Sequence, residues 1–335
     1  MSPARQRVWR WTRRLAPWAL AVLVLALVAQ QARSVDWPQV WASLQQLSPW
    51  RLTLAAGLAG VSYVVYAGFD LVGRHLTGHG LPVPRTLGTA AISYAFNLNF
   101  GALVGGFAMR LRLYTRWGVE AATVAKVIAL SMTTNWLGYL WVAGAVLLWS
   151  PPRLPGEWAL SDVVLRAIGA AMLALAVAYV VVCAVSRPRT LKWRDHELAL
   201  PGGRLAVVQA LAGGANWMLM GAIVWVLFEG RVDFPLVLGA LLMAAVAGVI
   251  THVPAGLGVL EAVFVATLSG TLPATEVLAV VLAYRAAYYL LPLALALPAY
   301  ALSEAAARRR GASTARDRQG VKGSGQALRQ SGRPT

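Results

Sequence analysis

The chain has 335 residues, of which 58% fall in the hydrophobic set and 13% are charged. Soluble domains carry about 25% charged residues, so this composition, with its mean hydropathy of +0.60, excludes a large water-soluble catalytic module. The net charge of +17 comes from 30 Lys and Arg against 13 Asp and Glu; in so apolar a chain it marks the cytosolic loops of a membrane protein rather than a nucleic-acid surface.

Arg5, Arg7, Arg10, Arg13 and Arg14 precede an apolar run over 15–29. No Ala-x-Ala cleavage site follows, so residues 1–14 are expected to be a basic cytosolic N-terminus leading into an uncleaved first transmembrane helix. Further apolar segments fall at 52–73, 87–108, 120–149, 163–185, 205–228, 235–250, 256–270 and 275–303. They lack period-2 alternation and predict helices, not barrel strands. The fold class expected is all-α: a polytopic helical membrane protein with about 7–9 crossings at about 20 residues each, including one or two re-entrant or broken hairpins. The integral domain covers 15–303. The 304–335 tail, basic and poor in large apolar residues, is expected to be disordered. The 14 Trp suit rings placed at bilayer interfaces. The single cysteine, Cys183, excludes an intramolecular disulfide or a cysteine-based metal cluster.

Charge sets the expected topology. Segment 87–108 is flanked by Arg74 and Arg85 on one side and by Arg110, Arg112 and Arg116 on the other. A hairpin over 87–108 that enters and leaves on the cytosolic side puts 23 of the 30 basic residues inside, with both termini cytosolic. The polar linker 186–204 is then cytosolic as well. Segments 235–250 and 256–270 span roughly 23 Å each as helices, short of the roughly 30 Å hydrocarbon core. They form either two tilted crossings or a second hairpin entering from outside. One interrupted segment from each side is the pattern of inverted-repeat transporters.

Three stretches carry polar chemistry at membrane depth. In the first, Asn97 and Asn99 precede Gly101, Gly105 and Gly106, and Arg110, Arg112 and Tyr114 follow. Buried amides need partners, glycines permit close packing and backbone breaks, and guanidinium forks suit phosphate. The stretch is a lipid-phosphate site or, equally consistent with its residue types, an ordinary basic loop with glycine packing. The second runs from His252 through Pro254, Gly256 and Gly258 to Glu261. Its carboxylate sits near a helix start, where it is favourable; it either meets a substrate amine or pairs with an arginine, while His252 reads as a packing residue. The third is Tyr284-Arg285-x-x-Tyr288-Tyr289-x-x-Pro292. An arginine inside the last helix needs a partner or a cavity, and Glu261 is the natural candidate. Asp70 has Arg74 one turn on as its nearest cation, Lys126 can snorkel, and Asn135-Trp136-Leu137-Gly138 reads as a polar kink. There is no nucleotide fingerprint, catalytic triad or metal spacing, so no cofactor and no metal is expected.

Four motifs in order resemble the transmembrane domain of the lysylphosphatidylglycerol synthase/flippase family. They are Gly105-Gly106 with Arg110-x-Arg112-x-Tyr114-x-x-x-Gly118; Asn135-Trp136-Leu137-Gly138; Val253-Pro254-Ala255-Gly256-Leu257-Gly258-Val259-x-Glu261; and Arg285-x-x-Tyr288-Tyr289-x-x-Pro292. Ala255 stands where the family usually has Gly. The resemblance covers about 15–303 and implies a stand-alone flippase-type domain of the bacterial inner membrane, without the soluble aminoacyl-transfer domain of bifunctional members. It implies no enzyme activity and a phospholipid partner, anionic or aminoacylated, within the bilayer. Arg110 and Arg112 would take the phosphate at the cytosolic mouth, Asn97 and Asn99 would line the path, Glu261 would meet an amine, and Arg285 and Tyr288 would hold the far side. The alternative is a scaffold or accessory subunit of a lipid or cell-envelope enzyme, acting as a homo-oligomer or with that enzyme as partner. A third class, an intramembrane lipid-modifying enzyme, would need a nucleophile or metal set that the sequence does not offer.

Overall fold

A computed structural model describes residues 37–152, 161–186, 190–193, 196–251 and 253–303. The expected first transmembrane helix, His252 and the 304–335 tail lie outside the described residues. The helices are α1 (Trp37–Gln45), α2 (Pro49–Thr77), α3 (Val83–Phe100), a π-helical segment (Ala102–Met109), α4 (Arg110–Arg116), α5 (Ala121–Trp149), α6 (Asp162–Val185), α7 (Gly203–Leu227), α8 (Phe234–Thr251), α9 (Val259–Leu268) and α10 (Ala274–Arg285). α10 passes through a second π-helical turn, Ala286–Leu290, and continues as helix to Ser303. Among the described residues, five helices are long and apolar enough to cross a membrane: α2, α6, α7, α8 and the extended α10. α5 has 29 residues, about 43 Å at 1.5 Å per residue, and so matches the bilayer in length.

The breaks follow the chain's proline and glycine chemistry. Pro49 opens α2, where a missing N–H costs nothing. Gly78 closes it in the left-handed conformation (φ 66°), its N–H bonding to Arg74 O. Ser161 caps α6 through Val164 N. Where two helices touch backbone to backbone, glycine is obligatory: a Cβ on Gly138 of α5 would sit 2.0 Å from the carbonyl carbon of Gly213 of α7.

Contacts along α2 and α7 fix the direction of the bundle. Ser48 N lies 3.5 Å from Glu229 Oε1, just beyond the end of α7, and Ser62 bonds to Asn216 further along. The two helices are therefore antiparallel, and the start of α2 shares one end of the bundle with the α7–α8 loop. The α2–α3 loop and the α6–α7 linker lie at the other end. Arg74, Arg85, Arg112, Arg116 and Arg204 lie on elements that reach this second, basic end.

The segment 87–108 is a hairpin, extended at both ends over 83–116. α3 enters, Gly101 (φ 85°) reverses the chain, and the π segment and α4 return against α3. A Cβ on Gly105 would lie 2.1 Å from Phe96 C and Asn97 N, and one on Gly106 would lie 2.8 Å from Asn97 Oδ1. Both limbs start and finish at the basic end: the Arg85 guanidinium is 4.8 Å from the Trp117 ring, and Arg116 bonds to Ser303 O at the end of α10. A second hairpin, α8 and α9, starts and finishes at the opposite end. Its return limb α9 has only 10 residues, about 15 Å, too short to cross. Its limbs are 18 and 10 residues long, where the hydropathy runs predict two of roughly equal length, because the break takes up 253–258.

Three further expectations are corrected. The stretch between the apolar runs 15–29 and 52–73, where no helix is expected, contains α1, which packs its Leu44 against the buried core. The 186–204 linker forms a β-hairpin, Thr190–Trp193 with His196–Ala199, in antiparallel register Thr190↔Ala199. These are the only strands among the described residues, and they lie outside the helical bundle. The Asn135–Gly138 stretch does not break the helix: α5 runs through it without interruption, with Asn135 O accepting from Trp217 Nε1 at 3.1 Å and Gly138 seating α7.

Candidate functional site

The two hairpins converge on one turn of α10. Near the tip of the first, Asn99 Nδ2 donates to Ala95 O at 2.8 Å and to Tyr289 O at 3.0 Å. At the tip of the second, Arg285 Nη1 donates to Ala255 O at 3.0 Å and Nη2 to Gly256 O at 2.8 Å. Arg285 immediately precedes the π-helical turn and Tyr289 lies within it, where i→i+5 bonding leaves backbone carbonyls such as that of Tyr289 open to other donors. The tip of the second hairpin is built on left-handed backbone: Ala255 (φ 57°), Gly256 (φ 55°) and Gly258 (φ 77°). Pro254 opens its short 3-10 turn.

Arg285 is almost fully bonded. Besides the two carbonyls it makes a bidentate pair with Glu261, Nε to Oε1 at 2.5 Å and Nη2 to Oε2 at 3.1 Å. Its guanidinium also lies 5.2 Å from the Tyr289 ring. The partner expected for a buried arginine is thus Glu261, in the first turn of α9. The geometry is the planar fork-to-fork match that carboxylates and guanidinium groups favour.

Arg110 is paired differently. It is 2% exposed, not at an open mouth, because α4 turns it inward against α2. Its Nη2 lies 3.3 Å from Asp70 Oδ1 and its Nη1 donates to Ser131 Oγ of α5 at 3.3 Å. The Tyr66 ring lies 5.5 Å below it. Tyr114 OH donates to Asp70 Oδ2 at 2.8 Å. Arg74, the nearest cation in sequence, instead donates to Leu81 O. Arg110 Nε and Nη2 and Asp70 Oδ1 all lack an aligned hydrogen bond. Arg112, two residues on, faces the opposite way: it is exposed at the basic end, 5.9 Å from the Tyr300 ring. Asn97 is half-buried, with its amide against Gly106.

Between the two ion pairs lies a tyrosine cluster that composition alone does not reveal. Tyr66 stacks on Tyr94 with centroids 3.5 Å apart. Ser62 Oγ donates to Asn216 Oδ1 at 2.7 Å, so its single proton is committed. Tyr288 OH, 2.7 Å away, must then donate to Ser62 and accept from Tyr94 OH at 3.0 Å. A one-directional string of hydroxyls therefore crosses the core from α3 through α10 and α2 to α7. Tyr63 OH adds a bond to Tyr288 O at 3.2 Å, while Tyr284 OH is buried without a partner. The available sequence signal was the spacing Ser62, Tyr66, Asp70: one residue per turn on a single face of α2.

No group of three or more His, Cys, Asp or Glu side chains that could hold a metal occurs among the described residues. Cys183 is buried and unpaired.

Comparison with known proteins covers most of the chain. The profile described as lysylphosphatidylglycerol synthase TM region matches residues 15–296. The inner membrane protein YbhN of Escherichia coli is 40% identical over 310 residues, spanning 92% of this chain and 97% of that protein. An uncharacterized Synechocystis protein, slr0712, is 31% identical over 294 residues, 85% of this chain and 90% of its own length. The phosphatidylglycerol lysyltransferase of Staphylococcus haemolyticus is 22% identical over 289 residues, covering 83% of this chain and 32% of that larger protein.

Proposed function

Because the chain belongs to the lysylphosphatidylglycerol synthase transmembrane-region family and is a multi-pass membrane protein, we propose that it binds anionic or aminoacylated phospholipid and moves it between leaflets. The observation that carries this reading is the pair of hairpins that enter from opposite ends and meet on the Arg285–Tyr289 turn. Such an arrangement places interrupted helices at mid-depth, where transporters build substrate sites. The name of the Staphylococcus haemolyticus relative points to phosphatidylglycerol as the lipid class.

The basic end faces the cytosol in this proposal, with both termini on that side. Arg112, exposed beside Tyr300, meets the headgroup phosphate first. Arg110 takes it deeper by exchanging its weakly aligned carboxylate for phosphate oxygens, which its fork fits. Asn97, beside the Gly106 backbone, lines the route, and Asn99 ties that route to α10. Glu261, Arg285 and Tyr288 act as the fixed wall: their hydrogen bonds are already made within the protein, so hairpin two holds its shape while the π-helical limb of hairpin one moves.

The scaffold alternative draws on the same saturation at Glu261–Arg285, which suits a purely structural core. A vesicle assay separates the two. Purified protein is reconstituted with fluorescent phosphatidylglycerol, and the outer leaflet is probed over time with a membrane-impermeant quencher. Exchange faster than in empty vesicles, lost in Arg110→Gln protein that remains folded, supports translocation. Wild-type protein that is folded and leaves exchange at the empty-vesicle rate rejects it.

A further inference from the structure

We infer that Asp70 is a proton-binding site, and that its protonation accompanies the transfer of Arg110 from Asp70 to a lipid phosphate. This inference rests on the proposed translocation and names the ion that drives it. Asp70 is fully buried in the middle of the α2 face that supports hairpin one. A bare carboxylate at that depth is costly unless it is paired or neutralised. Its Oδ1 lies beside the poorly aligned Arg110 Nη2 and has no aligned hydrogen bond, its Oδ2 holds a bond from Tyr114, and the Ser131 hydroxyl is the other polar group beside the carboxylate. When Arg110 turns to a phosphate, Asp70 loses its only countercharge. Binding one proton from water leaves a neutral carboxylic acid, and the net charge buried in the protein is unchanged: the phosphate anion replaces the carboxylate beside Arg110, and the proton cancels Asp70. The reverse step returns Arg110 to Asp70 and releases the proton.

The surroundings of Asp70 supply no competing charge at contact distance. Arg110 and Tyr114 face it from hairpin one, Ser131 stands beside Arg110 on α5, and Tyr66 lies one turn back on its own helix. From the loop after α2, the His79 ring stands edge-on to the Tyr114 ring at 5.7 Å, and both of its nitrogens are buried without partners. Burial, and then Arg74, hold the His79 imidazole below its ordinary value. It is therefore neutral at pH 7, with one nitrogen able to accept a proton and the other to donate one. Arg74 itself is engaged at Leu81 O. His79 and Tyr114 stand on the side of Asp70 toward the basic end, in ring contact with each other and with only Tyr114 bonded to the carboxylate. The Glu261–Arg285 pair offers no such step, since both oxygens of Glu261 and three nitrogens of Arg285 are bonded in place.

The test uses full-length protein in vesicles containing a trace of fluorescent phosphatidylglycerol, with an imposed pH difference of one unit and the membrane potential clamped. If one proton moves per lipid, the label is displaced between leaflets by up to about tenfold, in the direction set by the gradient, and collapse of the gradient with a protonophore abolishes the displacement. Asp70→Asn, which imitates the protonated acid, is expected to leave the label evenly distributed under the same gradient. Asp70→Glu restores the displacement in whole or in part and controls for folding. Wild-type translocation that ignores the gradient overturns this inference alone. The same outcome follows if Asp70→Asn protein still displaces the label. Absence of any translocation by folded wild-type protein in either condition overturns the proposed function, and this inference with it.

Discussion

The two hairpins carry the same kind of buried ion pair and hold it in opposite ways. In hairpin two, Arg285 uses three nitrogens on four acceptors, two carboxylate oxygens and two backbone carbonyls. In hairpin one, Arg110 keeps one stretched bond to Ser131 and an unaligned contact with Asp70. A buried pair contributes to stability only when its remaining donors and lone pairs are satisfied. The Asp70–Arg110 pair therefore has reason to exchange partners and the Glu261–Arg285 pair does not. The backbone follows the same division: hairpin one returns through eight residues of π-helix, a form in which hydrogen-bond geometry is strained and which gathers at functional sites. Hairpin two returns through an ordinary α-helix capped by Gly258. In the proposed function the Asp70–Arg110 side is the movable limb and the Glu261–Arg285 side the firm wall, the two meeting on one turn of α10.

That contrast can be broken by mutation, and the largest effect belongs to the firm side. Glu261→Ala strands Arg285 at low exposure and is expected to cost about 3–5 kcal/mol, read as a fall in thermal unfolding temperature in detergent. Replacing both residues by leucine recovers most of that loss, because it is the uncompensated charge that is costly. Next comes Gly105→Ala. Its methyl would meet the Phe96–Asn97 backbone at 2.1 Å, so the limbs of hairpin one must separate at a cost of about 3 kcal/mol. Limited proteolysis between 101 and 110 checks this, and wild-type resistance there would refute the close approach. Asp70→Asn is expected to cost less than Glu261→Ala, about 1–3 kcal/mol, since its pair makes fewer bonds. Equal losses for the two variants would erase the distinction between the pairs. The smallest effect is a gain. Ala255 stands at φ 57°, in the left-handed region that an alanine occupies at a cost of roughly 1–2 kcal/mol. Ala255→Gly should therefore stabilise the tip of hairpin two by about 1 kcal/mol, and a loss of stability would show that the methyl group packs usefully.

Much of this architecture was legible in the sequence, and the gaps have physical causes. The crossing helices follow the apolar runs, because length and hydropathy are what a bilayer demands. The first hairpin was legible because arginines flank 87–108 on both sides and a glycine cluster sits between them. The Glu261–Arg285 contact was legible because a lone acid and a lone base in neighbouring apolar segments have few other partners. The Asp70–Arg110 contact was not: Arg74 lies closer in sequence, and only the fold of hairpin one brings a residue 40 positions away against α2. The tyrosine string escaped for a related reason, since each hydroxyl sits on a different helix and only the i, i+4 spacing on α2 hinted at it. The helix α1 and the β-hairpin at 190–199 were missed because neither contains a long apolar run.

Amide hydrogen exchange, followed by mass spectrometry on the full-length protein with and without phosphatidylglycerol, compares the two hairpins in a single experiment. With hairpin one as the moving limb, peptides covering 102–116 change their exchange when the lipid is added, while peptides covering 253–268 remain protected in both states. Lipid-dependent change confined to 253–268, or identical protection of both hairpins with and without lipid, would contradict the assignment of wall and limb.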